Sequence, residues 1–255
     1  MGATPAPSRN APSRVIALEG ASNLRDLGGW RTQQGRHTRF GKIFRSAKLS
    51  KLTRADVVRF SELGIRNICD LRGVQESQHE ASVPLDGTRS HLLPMEAHLD
   101  GLLQGILAQR EVERSDLEGF INTAYETYPH ACAEQLRSLF ALILEDGNLP
   151  LLFHCAAGKD RTGFAAAVLL TAVGVGWESV LSDYLATNQH WRRDFKLPKG
   201  MSEQVGAPLF AANEGMLASS FKSIETRYGS FDAYVSDVLG IDAAARRELE
   251  HLLTE

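Results

Sequence analysis

Apolar residues occur along this chain in short runs that are separated by charged or small residues. The mostly apolar run Leu151 to Cys155 ends at a cysteine, and residues 162–175 follow it with almost no polar side chains. A short apolar run is typical of a buried strand, and a longer one is typical of a buried helix. The pattern therefore predicts a strand, a tight turn and a buried helix in direct succession.

Two more strands are predicted upstream, at Phe40 to Ser46 and at Ile65 to Leu71. Between them Thr53 and Asp56 have the spacing of a capping box, which predicts a helix that ends before Gly64. Because helical patterns lie between the strands, we expect an α/β fold with a central, mostly parallel sheet flanked by helices.

The C-terminal part of the chain is helical in pattern. From Trp177 onward no run predicts a strand. Asp242 is suited to cap a closing helix that extends through Leu253.

The composition limits the number of domains and the class of ligand. A chain of 255 residues of which 43% are apolar can bury one core of good size, so we expect a single domain. Residues 1–13 are rich in Ala, Pro and Ser and are predicted to form a disordered tail, which leaves residues 14–255 as the domain. The net charge of −3 provides no general basic surface and argues against nucleic-acid binding.

The cellular location is predicted from the cysteines and from the apolar runs. No stretch reaches the roughly 18 to 20 apolar residues that span a bilayer, and the N-terminus lacks the pattern of a secretion signal. The three cysteines are an odd number without disulfide-type spacing, which is typical of a reducing compartment. We therefore predict a cytoplasmic protein, although export by a signal-less route would leave no trace in the sequence. The oligomeric state stays open.

The turn that follows the predicted strand at Cys155 is suited to bind an anion. Backbone N–H groups at a strand-to-helix turn point into one concavity, and the positive end of the helix dipole points to the same place. A cysteine there loses its proton readily, since the pKa of such a thiol falls to about 3.5 in extreme cases. Arg161 can hold two phosphoryl oxygens, and Gly158 and Gly163 allow close approach of the backbone. These residues predict a phosphate site with a thiolate nucleophile, to whose sulfur Thr162 can donate a hydrogen bond.

The residues around this turn resemble a known family. Residues 154–163 read His-Cys-Ala-Ala-Gly-Lys-Asp-Arg-Thr-Gly, and they resemble the signature loop His-Cys-x-x-Gly-x-x-Arg-[Ser/Thr]-Gly of the cysteine-dependent protein tyrosine phosphatase superfamily. Asn-Leu-Arg-Asp-Leu-Gly-Gly at 23–29, Phe-Arg-Ser at 44–46 and Asp-Leu-Arg at 70–72 resemble its bacterial tyrosine and dual-specificity group. Members of that group act on phosphotyrosine, on phosphoserine or phosphothreonine, and on phosphoinositides.

The resemblance implies a phosphomonoester hydrolase that forms a phosphocysteine intermediate and needs neither a metal nor a cofactor. Cys155 is then the nucleophile and Arg161 binds the phosphoryl group, while His154 braces the loop. The other phosphate-binding residues are Ala156, Ala157, Gly158, Lys159, Thr162 and Gly163. The expected partner is a phosphorylated protein or a phosphoinositide. A module that binds such a phosphate without turnover is the alternative, and the intact Cys155 and Arg161 argue against it.

The general acid has to come from elsewhere than in the better-known tyrosine phosphatases, because the chain lacks their Trp-Pro-Asp tripeptide. The resemblance points to Asp160 in the loop itself. A carboxyl group close to a phosphate dianion and a thiolate keeps its proton more readily, which suits that role. The alternative for Asp160 is an ion pair with Lys159 or an anchoring contact. Asp86 and Asp100 are the other candidate acids.

Two features near the loop each allow two interpretations. Lys159 either binds a second phosphate of an inositol headgroup or is a solvated cation that only raises the local potential. Residues 95–128 and 196–220 interrupt the compact pattern with apolar and hinge-like residues, which favours a helical lid over an ordinary surface excursion.

A few more residues could lie near the site. Asp183-Tyr184 and Asn188 are weak candidates for contact with it. Cys69 and Cys132 are expected to pack in the core, as most free cysteines do, although either could be a redox partner of Cys155 if the fold brings them close.

Overall fold

A short, mostly parallel sheet lies at the centre of the protein. The computed structural model describes residues 13–108, 111–197 and 201–255. Within these ranges the strands are β1 (Arg25–Asp26), β2 (Ile43–Ser46), β3 (Asn67–Asp70), β4 (Arg89–Leu92) and β5 (Leu151–His154). They lie in the order β1-β2-β5-β3-β4, and β1 runs antiparallel to β2 while the other neighbours are parallel.

Helices cover both faces of the sheet, and turns and loops connect the elements. They are α1 (Arg54–Leu63), α2 (Val74–His79), α3 (Asp100–Leu107), α4 (Arg114–Ala131), α5 (Ala133–Leu144), α6 (Asp160–Ala172), α7 (Trp177–Leu185), α8 (Thr187–His190), α9 (Glu203–Gly206), α10 (Glu214–Tyr228), α11 (Phe231–Ala233) and α12 (Ala243–Leu253). A 3₁₀ turn at Ala207–Leu209 precedes α10, and a π-helical stretch at Tyr234–Val238 follows α11. The predicted α/β fold with a mostly parallel sheet is confirmed.

Both predicted helix caps are confirmed. Thr53 accepts a hydrogen bond from the backbone of Asp56, the Asp56 side chain accepts one from the backbone of Thr53, and Gly64 ends α1 in the left-handed conformation. Asp242 accepts hydrogen bonds from two backbone N–H groups at the start of α12. Each cap joins residues at most three positions apart, so the local sequence is sufficient to specify it.

The predicted strands are present but shorter than expected. The strand predicted at 40–46 begins only at Ile43, because Gly41 has a φ of +70° and donates its N–H to the Asp26 side chain. The strand predicted at 65–71 is Asn67–Asp70. Two strands, β1 and β4, were not predicted, since β1 has only two residues and β4 is a largely exposed polar segment.

Strand β5 lies between two apolar clusters, one on each face of the sheet. Leu151 and Phe153 belong to the larger cluster, together with most of α6, whereas Leu152 belongs to the smaller one. Alternate residues of a strand face opposite sides, so β5 anchors both halves of the core. Ten of the 13 residues of α6 are buried, which confirms the predicted buried helix after β5.

Two further sequence predictions concern the N-terminal tail and membrane-spanning segments. Apart from Ser13, the predicted tail lies outside the described residues, and the domain boundary at residue 14 stays a prediction. In the part of the chain that the structure describes, no helix is both long and apolar enough to cross a bilayer.

Candidate active site

A five-residue loop, 155–159, connects β5 to α6 at the carboxyl edge of the sheet. His154 pairs in register with Ser46 of β2 and Asp70 of β3, so three parallel strands end together there. Cys155 follows directly and is almost fully buried. The carboxyl edge of an α/β sheet is the usual position for a ligand site, and the Cys155 thiol lies at this edge.

Gly158 is the tightest point of the loop. Its φ is +65°, and a Cβ at this position would lie 2.4 Å from the Ser46 carbonyl oxygen. Both the left-handed backbone and the contact with β2 therefore require glycine. At Gly163, in the first turn of α6, a Cβ would lie 2.8 Å from the Tyr184 ring, so glycine there permits close packing against α7.

Three consecutive carbonyl groups of the loop accept hydrogen bonds from residues outside the loop. Lys48 N–H donates to the Ala156 carbonyl over 3.0 Å. Asn23 Nδ2 donates to the Ala157 and Gly158 carbonyls, each over 3.0 Å, and Arg45 Nη2 donates to Gly158 over 2.7 Å. In a trans peptide the N–H points away from the C=O. The N–H groups that follow these carbonyls are thus directed away from the supporting residues, which is the arrangement that an anion-binding turn needs.

A buried ion-pair network holds Arg45 in place. The Asp183 carboxylate pairs with Arg45, and its other oxygen lies 3.5 Å from Arg25 Nε. Burial opposes ionisation of this carboxyl, but the two arginines outweigh burial and hold the pKa of Asp183 below its usual value. Arg25 also donates to the Asn23 side chain. The 23–29 and 44–46 motifs therefore contribute support for the loop.

Arg161 is held by a residue that sequence reasoning did not identify. Its Nη1 and Nη2 lie 2.7 Å and 3.1 Å from the two oxygens of Glu76 on α2. Burial alone would lower the pKa of Arg161, but Cys155 and Glu76 outweigh it and raise that pKa, so the guanidinium stays charged. A capping spacing from Gly73 to Glu76 marks the start of α2, yet nothing local indicates that Glu76 reaches the loop.

Asp160 is the first residue of α6 and accepts two contacts on one oxygen. Lys159 Nζ lies 2.9 Å from Asp160 Oδ1, and the Tyr125 hydroxyl donates to the same atom over 2.8 Å. The ion pair with Lys159, which was the alternative to the acid role of Asp160, is therefore present. About a third of the Asp160 side chain, 31%, is exposed, so the carboxyl group remains accessible from the pocket beside it.

The two stretches predicted to form a lid both lie against the loop. A pocket of about 120 Å³ is lined by Phe120, Ile121, Ala124, Tyr125, Tyr128, Lys159, Asp160 and Leu209. The α4 residues among them belong to the 95–128 stretch and Leu209 to the 196–220 stretch. Asn188 of α8 binds the second stretch through two hydrogen bonds to the backbone of Ala212. Described parts of both stretches therefore lie beside the loop, and we call them the helical cover, with Asn188 as one attachment; that they act as a lid stays a prediction.

The interpretation of Lys159 as a solvated cation is wrong. Its side chain is almost fully buried, and Nζ is also 3.5 Å from the Ala211 carbonyl oxygen of the cover. Lys159 stands at the N-cap position of α6, where Asp160 and Ala211 replace water around the ammonium group.

His154 and Thr162 are both fully buried. His154 Nδ1 lies 3.3 Å from the Cys155 carbonyl oxygen and 3.9 Å from Asp70 Oδ1, and burial lowers the pKa of the imidazole. This contact agrees with the bracing role expected of His154. The hydrogen bond predicted from Thr162 to the sulfur is not formed: among the described residues its hydroxyl has no partner.

One of the two alternative acids lies away from this site. Asp86 lines a separate pocket with Ile65 and Arg66, just before β3 begins, and it precedes β4. It therefore lies at the amino edge of the parallel strands, opposite the loop, and the prediction that it could supply the proton is wrong. Asp100 begins α3, and its side chain lies outside the described residues.

The other two cysteines are core residues, as expected. Cys69 in β3 and Cys132 after α4 are fully buried and form no disulfide. Burial raises the pKa of each thiol to about 12. Both are therefore protonated and unreactive at neutral pH.

The chain resembles known proteins over most of its length. A family model described as the tyrosine phosphatase family matches residues 16–255. A Cupriavidus necator protein that bears the name tyrosine-protein phosphatase is 32% identical over 91% of this chain and 86% of its own. The triple specificity protein phosphatase PtpB of Mycobacterium tuberculosis is 29% identical over 94% of this chain and 99% of its own.

Solved structures resemble the chain more distantly. The core catalytic domain of the PP-IP phosphatase Siw14 from S. cerevisiae is 16% identical, covers 84% of this chain and 96% of its own, and superposes with a TM-score of 0.38.

Proposed function

The chain belongs to the tyrosine phosphatase family, and we propose that Cys155 is the nucleophile with which this enzyme hydrolyses phosphomonoesters. The observation that carries the proposal is the loop itself. It presents the thiol at the N-terminus of α6, and it directs backbone N–H groups into the same concavity as the helix dipole. Glu76 holds the Arg161 guanidinium with a pair of hydrogen bonds, so the cation is oriented before substrate binds.

In the first step the Cys155 thiolate attacks phosphorus. An S–P bond forms and the P–O bond to the leaving group breaks, while a proton passes from Asp160 to the departing oxygen. Arg161 and the loop N–H groups bind the phosphoryl oxygens as their charge shifts in the transition state. Both Oδ1 contacts of Asp160 come from Lys159 and Tyr125, which leaves Oδ2 as the oxygen that carries the proton.

In the second step water attacks the phosphocysteine. The Asp160 carboxylate accepts a proton from this water, the S–P bond breaks, and inorganic phosphate leaves with the thiolate restored. Arg161 is again the group that binds the phosphoryl oxygens. No metal or cofactor takes part in either step.

We infer that the substrates are phosphorylated proteins, with phosphotyrosine as the main one and with phosphoserine, phosphothreonine and phosphoinositides as further candidates. The apolar walls that α4 contributes to the pocket, such as Phe120 and Tyr128, suit an aryl or alkyl chain next to the phosphate. The name of the Mycobacterium tuberculosis relative supports a range wider than tyrosine. Because the reaction needs a free thiolate, we also propose a reducing compartment such as the cytoplasm.

The nucleophile is tested with Cys155→Ser and a matched control, Cys69→Ser, which also replaces a buried thiol. With p-nitrophenyl phosphate as substrate, Cys155→Ser should lower kcat by at least about a thousandfold. The control should retain turnover. Vanadate binding should be similar in the wild-type and Cys69→Ser proteins. Hydrolysis that survives Cys155→Ser would exclude the mechanism, and a wild-type protein that binds vanadate without turnover would instead support the binding module.

The acid is tested by comparing leaving groups. A general acid matters most when the leaving group is a strong base. Asp160→Asn should therefore slow hydrolysis of phosphoserine far more than hydrolysis of p-nitrophenyl phosphate. If the two rates fall by the same factor, Asp160 is an anchoring residue and the proton comes from another group.

A further inference from the structure

The hydroxyl of Tyr125 connects the helical cover to Asp160. It donates a hydrogen bond to Asp160 Oδ1 over 2.8 Å and lies 2.6 Å from the hydroxyl of Tyr184. Tyr125 has no exposed surface, so solvent reaches the contact with Asp160 only from the side of the carboxyl group. Buried hydrogen bonds of this kind restrict the orientation of both partners more strongly than exposed ones.

The ring and the backbone of Tyr125 are fixed independently of Asp160. The Ser220 hydroxyl of α10 donates to the Tyr125 carbonyl over 2.7 Å. The ring packs edge-on against Tyr184 and Tyr128, with centroids 6.2 Å and 5.4 Å away. The hydroxyl is therefore held in a set position by α7 and α10 before any contact with the loop is considered.

The protonation of Tyr125 defines the direction of the hydrogen bond. Burial, and next the charge of Asp160, raise the pKa of Tyr125 well above its usual value. The hydroxyl therefore keeps its proton and is the donor to the carboxyl oxygen. Tyr184 can in turn donate to the Tyr125 oxygen, which completes a short chain of donors that ends at Asp160.

We propose that Tyr125 is a positioning residue that holds Asp160 with Oδ1 bound and Oδ2 free to deliver the proton. Lys159 is the second contact to Oδ1, and among the described residues no hydrogen bond reaches Oδ2. Two donors on one oxygen prevent the carboxyl group from rotating to exchange its oxygens. The inference rests on the proposed function, because it assumes that Asp160 is the acid.

The position of Tyr125 on α4 gives this contact a wider role. The helix packs along α10 and lines the pocket beside Asp160. The acid is therefore oriented by the same element that forms the apolar wall for the substrate. Displacement of α4 would disturb proton transfer and the pocket together.

The experiment compares Tyr125→Phe with a matched control, Tyr234→Phe. The Tyr234 hydroxyl is also buried and also anchors α4, by donating to the Pro129 carbonyl over 2.8 Å. Tyr125→Phe loses the hydrogen bonds of its hydroxyl to Asp160 and Tyr184, whereas Tyr234→Phe loses one, so the control tests whether loss of a buried hydroxyl that anchors α4 is by itself enough to impair turnover. With phosphoserine, Tyr125→Phe should lower kcat on the order of tenfold, because part of the general-acid contribution is lost. With p-nitrophenyl phosphate kcat should fall much less, and Tyr234→Phe should leave the ratio of the two rates unchanged.

A double variant separates positioning from general damage. In an Asp160→Asn background, Tyr125→Phe should have little further effect on the ratio of the two rates, since both residues act on one proton transfer. If Tyr125→Phe does not fold, Tyr184→Phe, which removes the neighbouring donor, should shift the ratio in the same direction by less.

Equal losses on the two substrates, or an equal shift in the ratio in the Tyr234→Phe control, would overturn the positioning role and leave the proposed function intact. A wild-type protein that does not hydrolyse p-nitrophenyl phosphate would overturn the proposed function itself. The two failures are therefore distinguishable.

Discussion

Asp183 is the residue at which the support of the loop can be tested most directly. Its carboxylate is the anion that Arg45 and Arg25 share, and its side chain is 3% exposed while that of Arg45 has no exposure. Asp183→Asn preserves the shape of the side chain and removes the charge. Arg45 then loses its anionic partner in a buried position, with Arg25 as a second nearby cation.

The expected cost follows from the burial of the pair. Removing one partner of a buried ion pair costs about 3–5 kcal/mol, because it leaves an uncompensated charge. Asparagine still accepts a hydrogen bond, so we expect about 3 kcal/mol, at the lower end of that range. A typical unfolding free energy is roughly 5–15 kcal/mol. The variant should thus fold but lose a large fraction of its stability.

The assay is thermal and urea unfolding of the wild-type protein, Asp183→Asn and a control, Asp232→Asn. At about 2–4 °C per kcal/mol for a chain of this length, Tm should fall by roughly 6–12 °C in Asp183→Asn. Asp232 pairs with Arg246 at the surface, where its side chain is 76% exposed. An exposed pair contributes about 0–1 kcal/mol, so Tm of the control should change little.

The contribution of Asp183 to the free energy of unfolding depends on pH. The pKa of Asp183 is lower in the folded protein than in the unfolded chain, since the arginines outweigh burial. Its contribution to stability is therefore complete above the unfolded value of about 3.9 and is lost as the pH falls through the lower folded value. The stability difference between the wild-type protein and Asp183→Asn should be constant at neutral pH and should narrow in acid.

A loss of less than about 1 kcal/mol at neutral pH would refute this reasoning, because it would match an exposed pair. A loss of similar size in Asp232→Asn would show that the substitution itself, rather than burial, is responsible.

Two other substitutions address the loop. Glu76→Gln should lower kcat/KM about tenfold on alkyl and aryl phosphates alike. Hydrogen bonds to charged groups contribute about 1.5–3 kcal/mol, and because the Glu76 side chain is 38% exposed, we expect the low end of that range. Steady-state kinetics that show a loss on one substrate class alone would contradict this prediction. Gly158→Ala should abolish activity, since its Cβ would lie 2.4 Å from the Ser46 carbonyl oxygen. The control Gly87→Ala also has a positive φ but meets no described atom within 4 Å, so it should cost only about 1–2 kcal/mol of backbone strain and leave kcat unchanged.

The loop, its helix and the helix caps were predictable because their determinants are close in sequence. The buried strand, the turn and the buried helix are consecutive between residues 151 and 172. The caps at Thr53 and Asp242 join residues no more than three positions apart. An apolar run and a cap depend on neighbouring side chains alone, so they can be recognised without the fold.

The strands at the edges of the sheet were not predictable in the same way. β4 has no alternation of apolar and polar residues and is a strand because β3 offers it a free edge. β1 is a pair of charged residues whose burial depends on Asp183 and on the backbone around Gly41. Pairing with a partner, rather than the intrinsic preference of the residues, specifies such strands.

The sequence by itself determined the chemical groups of the proposed site: a cysteine, an arginine and an aspartate within seven residues, at a turn suited to bind an anion. Only the tertiary structure decided which groups make that chemistry workable. Glu76 lies 85 residues before Arg161, Asn23 lies 134 residues before Ala157, and Tyr125 lies 35 residues before Asp160. Contacts over such separations depend on how strands and helices pack, which local patterns do not encode. The burial of Lys159 has the same origin, since the cover that excludes water from it comes from a distant part of the chain.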